Sequence, residues 1–409
     1  ALAMDGGELC SARCAEQPFD VQFHPNSQVF VAGLITGEVE VWERDDQRET
    51  CRRLKTVRCH DTACRTLCFV NDGSLLLTGS SDRSILATDV STGKPLSRLT
   101  NAHKAPVNRL VAIDKNTIVS GDDDGAVKVW DTRQQKAVGQ FAPFVDFVSD
   151  ICHVPFGAGA GEQKIDATDP DAPGTSAQGA SQGVNTHPGS LVVTSGDGTI
   201  AHLSLHNWKE LGQSDTLDDE LLSVCVLKNG RKAIAGSQTG TLALFDYGNW
   251  EEHSDRFPGH PSSIDCIVKV DEDTILTGSS DGIIRIIGVL PNKMLGVVGE
   301  HGDMPVERMA LSCDRSALAT ASHDSTIKLW DVKYLWEEGS RSRMAGDEDD
   351  ARAELGDAAV SGSDSDSDSE DAGKRKRKNK ESAKKSKMQG SGEARAVAKK
   401  QAAKKFFDG

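Results

Sequence analysis

No run of apolar residues reaches the ~18 that a membrane-spanning helix requires, so a membrane role is not expected. The ten cysteines include no Cys-x-x-Cys pair, and the ligand spacing of a structural zinc site is missing. Cys10 with Cys14 is the one pair that merits a metal test. No secretory signal is legible, so the thiols are expected to be buried and reduced in an intracellular protein. There is also no glycine-rich phosphate loop and no lone activated nucleophile. These absences leave a nucleotide-hydrolysing, metal-dependent or covalent mechanism without its usual parts. No cofactor is implied.

What is present is a repeat. Residues 119–133 read VSGDDDGAVKVWDTR, in which β-branched residues alternate toward Trp130 and Asp122-Asp123-Asp124-Gly125 supplies a reversal. A second clear copy is SHDSTIKLWDV at 322–332, and degenerate copies occur elsewhere. Aligned on the tryptophan, the anchors are Trp42, Thr88, Trp130, Leu203, Phe245, Ile287 and Trp330. Their spacings are 46, 42, 73, 42, 42 and 43 residues. Five of the six match the ~40–45-residue period of a four-stranded propeller blade. The outlying 73 predicts an insertion of 31 residues, and 155–188 supplies one, with almost no large apolar side chain.

A histidine precedes each well-formed unit, at His60, His103, His260 and His301, and an aspartate stands six residues before most anchors. With the tryptophan anchors, these features resemble the WD40 family. The resemblance implies an all-β fold: a seven-bladed WD40 propeller over 19–336, with a charged tail over 337–409 expected to be disordered. A blade cannot bury both of its apolar faces alone, so stacking and ring closure are required. Residues 1–18, with a strand in 8–17, are expected to close the ring on the last blade. A monomeric propeller is expected.

His103, Ser120, Asp124 and Trp130 contain the residue types of a hydrolytic triad, and His301, Thr320, Asp324 and Trp330 repeat the set. Repetition argues for architecture, because an enzyme needs one site. The family resemblance implies a structural hydrogen-bond network in which the turn aspartate orients the histidine, the hydroxyl bridges and the indole closes the chain. Function then falls to surfaces. The resemblance implies that residues just before the turn aspartates face a partner: Ser81, Asp123, Ser280 and His323, with Gln238 beside Thr239. Trp130-Asp131-Thr132-Arg133 matches the WDxR pattern of substrate receptors for cullin-4 ubiquitin ligases, where the arginine meets the ligase adaptor.

Charge is unevenly placed. The chain carries −15 overall, but 347–373 holds eleven acids and one base, and 374–409 holds fourteen bases and three acids. Residues 1–340 therefore carry about −18, which disfavours phosphate contacts by the propeller itself. RNA contact is expected only through the basic end. In the acidic run 361–371, Ser361, Ser363, Ser365 and Ser367 each have an acid three residues on, an acidophilic kinase pattern. The basic run 374–387 opens with Lys374, Arg375, Lys376, Arg377 and Lys378, a cluster suited to nuclear import. The final Phe406-Phe407 pair has the look of a partner anchor.

Within the WD40 family the chain is similar to one subgroup with fungal counterparts. The similarity rests on FDVQFHPNSQVFVAGLITGEVEVW at 19–42, the blade-three and blade-seven motifs, and the acidic-then-basic tail. It implies a nucleolar or nuclear protein without catalytic activity, a scaffold for assembly factors in ribosome biogenesis and rRNA synthesis or processing. For some members it also implies a link to the cullin-4 adaptor.

Overall fold

Four short strands per repeat, most of them joined by Gly- or Asp-containing reversals, form seven antiparallel sheets of four strands. A computed structural model of the chain describes residues 7–45, 48–155 and 189–337. Among these there is no α-helix, only the 3-10 turns Asn71–Gly73 and Lys333–Trp336. The stretch after Pro155 up to 188, the acidic run 361–371, the basic run 374–387 and the Phe406-Phe407 pair lie outside the described residues.

The sheets are the blades of a seven-bladed propeller. Blade one contains Pro18–Phe23, Val29–Leu34, Glu38–Asp45 and Thr50–Arg58, paired in that order. The innermost strands of the next six blades are Cys64–Val70, Val107–Ala112, Val148–Val154, Leu221–Leu227, Ile264–Lys269 and Val306–Leu311. Blade seven takes its outer strand from the other end of the chain, where Glu8–Arg13 pairs antiparallel with Thr326–Asp331.

The core is divided in the same way. Seven apolar clusters occur among the described residues, one at each contact between neighbouring blades. The ring-closing cluster joins Cys10 and Ala12 of the N-terminal strand to Ile327 and Leu329 of blade seven and Phe30 and Trp42 of blade one. No blade owns a core. Each shares two, which is why a single repeat is not a stable unit.

One feature recurs in all seven inner strands. The pairing register slips by one residue just after the strand begins, for example between Val107 and Arg109 and between Val306 and Arg308. Such a bulge re-aims the extra residue. The residues so placed are Phe19, Arg65, Asn108, Ser149, Leu222, Asp265 and Glu307, and they ring the axis where the inner strands start.

The cysteines depart from expectation. Cys10 and Cys51 form a disulfide, with Cα atoms 6.2 Å apart. The outer strands of blades seven and one run side by side at the closing seam, and this brings the two residues within bonding reach. The thiols of Cys14, Cys59, Cys64, Cys225 and Cys266 are buried and free.

Candidate partner-binding faces of the propeller

The histidine networks have the residue types of a catalytic centre but the burial of a structural one. In blade seven, Nδ1 of His301 donates to Asp324 at 2.9 Å, and Thr320 lies 2.7 Å from Nε2. The Trp330 indole donates to the same hydroxyl at 2.9 Å. Blade three has the same chain through His103, Ser120 and Trp130, at 2.5 and 2.8 Å. Ser120 and Thr320 are fully buried at 0%, so neither hydroxyl can meet a substrate. Each hydroxyl bridges a ring nitrogen and an indole N–H, which satisfies buried groups that would otherwise be costly.

The structure corrects one member of this set. The carboxylate on His103 belongs to Asp122, at 2.7 Å, and Asp124 is exposed. Blades two and seven carry Ser80 and Ser322 at the position of Asp122. The carboxylate there reaches the imidazole with one oxygen and caps the amides of Asp124 and Ala126 with the other. Asp124 is thereby displaced from the role that Asp82 and Asp324 keep. The signal available in the sequence was the first aspartate of the run, Asp122, where blades two and seven have serine.

Blade six breaks the chain. His260 meets Thr277 at 2.8 Å, but Arg285 holds Asp281 with two hydrogen bonds, and His260 Nδ1 has no partner. Burial pushes this imidazole down to about 4.

The candidate partner-binding turns share one end of the ring. The amide of each turn residue donates to the carbonyl that precedes its blade's inner strand: Ser81 to Ala63, Asp123 to Pro106, Gln238 to Glu220, Ser280 to Ser263 and His323 to Pro305, at 2.9 to 3.2 Å. Three of these side chains then meet the bulged inner-strand residues. Asp123 pairs with Arg65 at 2.7 Å, Ser280 donates to Asp265 at 2.7 Å, and His323 meets Glu307 at 2.5 Å. Ser81 and Gln238 share that face. Arg65, Asp265 and Glu307 were not singled out from the sequence, because a bulge leaves no compositional mark.

A propeller's blades surround a central channel, and electrostatics at this mouth of it are mixed. Burial pushes the Asp265 carboxyl up to about 6, against the opposing hydrogen bond from Ser280. Burial also lifts Asp123, although Arg65 opposes it. The hydrogen bond to Glu307 raises the His323 imidazole above its ordinary value. Two apolar side chains stand in the loops leading to the inner strands of blades four and seven, Val145 at 91% exposure and Met304 at 49%. Polar, charged and exposed apolar groups together are the makings of a protein-binding face.

Arg133 lies elsewhere. It follows the third strand of blade three, at the end where the inner strands finish. Its guanidinium pairs with Asp131 through Nε at 2.9 Å and Nη2 at 2.7 Å, and the side chain is 67% exposed.

Comparison with known proteins agrees with this architecture. The family model for the WD domain, G-beta repeat, matches residues 51–87, 93–131, 251–287 and 292–331. The chain is 40% identical to WD repeat-containing protein 55 of Arabidopsis thaliana, over 78% of this chain and 81% of that one. The chain belongs to the WD repeat-containing protein 55 family of WD40 propellers. It is 35% identical to WD repeat-containing protein JIP5 of Cryptococcus neoformans, over 79% and 81% of the two chains. Against WD repeat-containing protein 55 of Homo sapiens the figure is 32%, over 76% and 74%. WD40 propellers generally mediate protein–protein interactions and are typically non-catalytic scaffolds, and no catalytic family is indicated for this member of the WD repeat-containing protein 55 family.

Proposed function

We propose that this propeller is a non-catalytic scaffold for ribosome biogenesis, acting in the nucleolus on rRNA synthesis or processing by holding assembly factors. The observation that carries the scaffold reading is the channel mouth. There, the turns of five blades present Ser81, Asp123, Gln238, Ser280 and His323 on one face, while the triad-like groups among the described residues are sealed inside blades. The basic cluster Lys374-Arg375-Lys376-Arg377-Lys378 supports nuclear entry and is the part of the chain suited to RNA phosphates. The test is localisation of the full chain against a chain ending at Ala372. Nucleolar signal that becomes diffuse on truncation supports the reading, and a cytoplasmic full chain overturns it.

A second reading, substrate receptor of a cullin-4 ubiquitin ligase, is favoured by the exposed Arg133 in its WDxR motif. Pulldown with the ligase adaptor, abolished by Arg133→Ala, supports it. No adaptor binding by the wild-type chain removes it.

A further inference from the structure

At the end of the ring opposite the channel mouth, a groove of about 340 Å³ opens between blades two and three. Its floor is apolar, with Val70, Leu77, Ile118 and Trp130 at the base. Leu96, on the outer strand Pro95–Leu99, stands at its side and is 60% exposed.

The molecule contains a second version of this place. Between blades six and seven, Val270, Leu276, Leu318 and Trp330 form the corresponding floor. The correspondence follows from strand register. Thr66 pairs with Gly79 as Cys266 pairs with Gly278, and Leu110 pairs with Ser120 as Met309 pairs with Thr320. There the chain covers the floor itself. After Thr326–Asp331 it makes the single turn Lys333–Trp336, which buries Leu335 to 4% in the cluster and packs Tyr334 and Trp336 against it.

Blade three cannot do the same. Where blade seven has Val332-Lys333-Tyr334-Leu335, blade three has Thr132-Arg133-Gln134-Gln135. These polar residues turn back at once into the outer strand Lys136–Phe141, and Gln135 is bound to Ser97 across the groove at 3.0 Å. The same apolar floor is left with no leucine or aromatic residue to cover it.

We infer that the groove between blades two and three receives a short segment of a partner protein that presents a leucine next to an aromatic residue, as the Tyr334-Leu335-Trp336 turn does between blades six and seven. The occupant is specified by the internal repeat. The floor positions are matched, and the side chains that satisfy one version are those the other lacks. An exposed apolar groove lined for a few adjacent side chains is a recurrent mode of peptide recognition. This site is distinct from the channel mouth, so it goes beyond the scaffold reading and does not depend on localisation.

The probe is a fluorescein-labelled, terminally blocked peptide of sequence VKYLWEE, the molecule's own cap, titrated with the full chain and read by anisotropy. Saturable binding is expected, weakened at least about ten-fold by Leu96→Asp. Leu96 is exposed, so this variant should unfold at the wild-type temperature, and it leaves Arg133 in place, so adaptor binding can be scored separately. A peptide with its leucine and tryptophan changed to serine should not bind. Absence of saturation up to about 1 mM overturns the inference. So does equal affinity for a folded Leu96→Asp chain, or equal binding of the serine peptide.

Discussion

At His103 the buried imidazole is held by Asp122 and Ser120, and Asp124 faces water. Asp122→Ala would strand the Nδ1–H and two turn amides, and a buried unsatisfied group costs about 1–3 kcal/mol. Asp124→Ala should stay within about 0.5 kcal/mol of wild type. Urea unfolding of the two variants checks this, and the opposite ranking would show that Asp124 carries the network. Protonation adds a second residue-scale expectation. Burial holds His202 and His260 down to about 4, below an ordinary imidazole near 6.5. Between pH 6.5 and 4 the unfolded chain therefore binds more protons than the folded one, so their contribution is complete above 6.5 and lost as pH falls toward 4. Asp265 runs the other way. Its carboxyl, pushed up to about 6, penalises the folded state once ionised, and the penalty disappears as pH falls from 6 toward 4. Asp265→Asn should accordingly raise the unfolding temperature at pH 8 and have little effect at pH 4. Melting curves across this range separate the two contributions.

At the scale of the element, the strand Glu8–Arg13 has the largest consequence for its size. It completes the sheet of blade seven and contributes Cys10 and Ala12 to the closing cluster. Without it, Thr326–Asp331 becomes an edge strand with unpaired backbone groups, a template for association between chains. Removing residues 1–13 should lower the free energy of unfolding by several kcal/mol, from lost apolar burial and pairing. It should also produce oligomers by size-exclusion chromatography. A truncated chain that melts like the full one would mean that the ring is held shut by the blade seven and blade one packing alone. The turns that follow the third strands matter in a different way. The residues after Trp330 cap a groove and the residues after Trp130 leave one open, although both follow the same Trp-Asp pair.

For the whole molecule, closure is the point where the repeating interfaces meet. The Cys10–Cys51 disulfide spans 41 residues and ties the outer strand of blade seven to that of blade one. By loop-closure entropy a cross-link of that span is worth up to ~4 kcal/mol. Reductant should lower the melting temperature of the wild-type chain and leave Cys51→Ser unchanged. Equal melting of the wild type with and without reductant would count against the bond as a contributor to closure.

Blade number, strand identity and the placement of the histidines and tryptophans were legible in the chain. Every blade imposes the same burial demands about every 42 residues, and local alternation and turn chemistry meet them within one repeat. That Ser81, Asp123, Gln238, Ser280 and His323 occupy equivalent turns followed from the family resemblance. What depended on neighbouring blades was not legible. The choice of Asp122 over Asp124 turned on side-chain reach across a packed turn. The bulges that bring Arg65, Asp265 and Glu307 to the turn residues arise from pairing register, and the disulfide joins residues 41 positions apart. The open groove beside Trp130 exists because of what the preceding blade brings next to it. Periodicity within a repeat is written locally and can be read. Contacts between repeats depend on which side chains the closed ring brings together, and only the tertiary structure decided those.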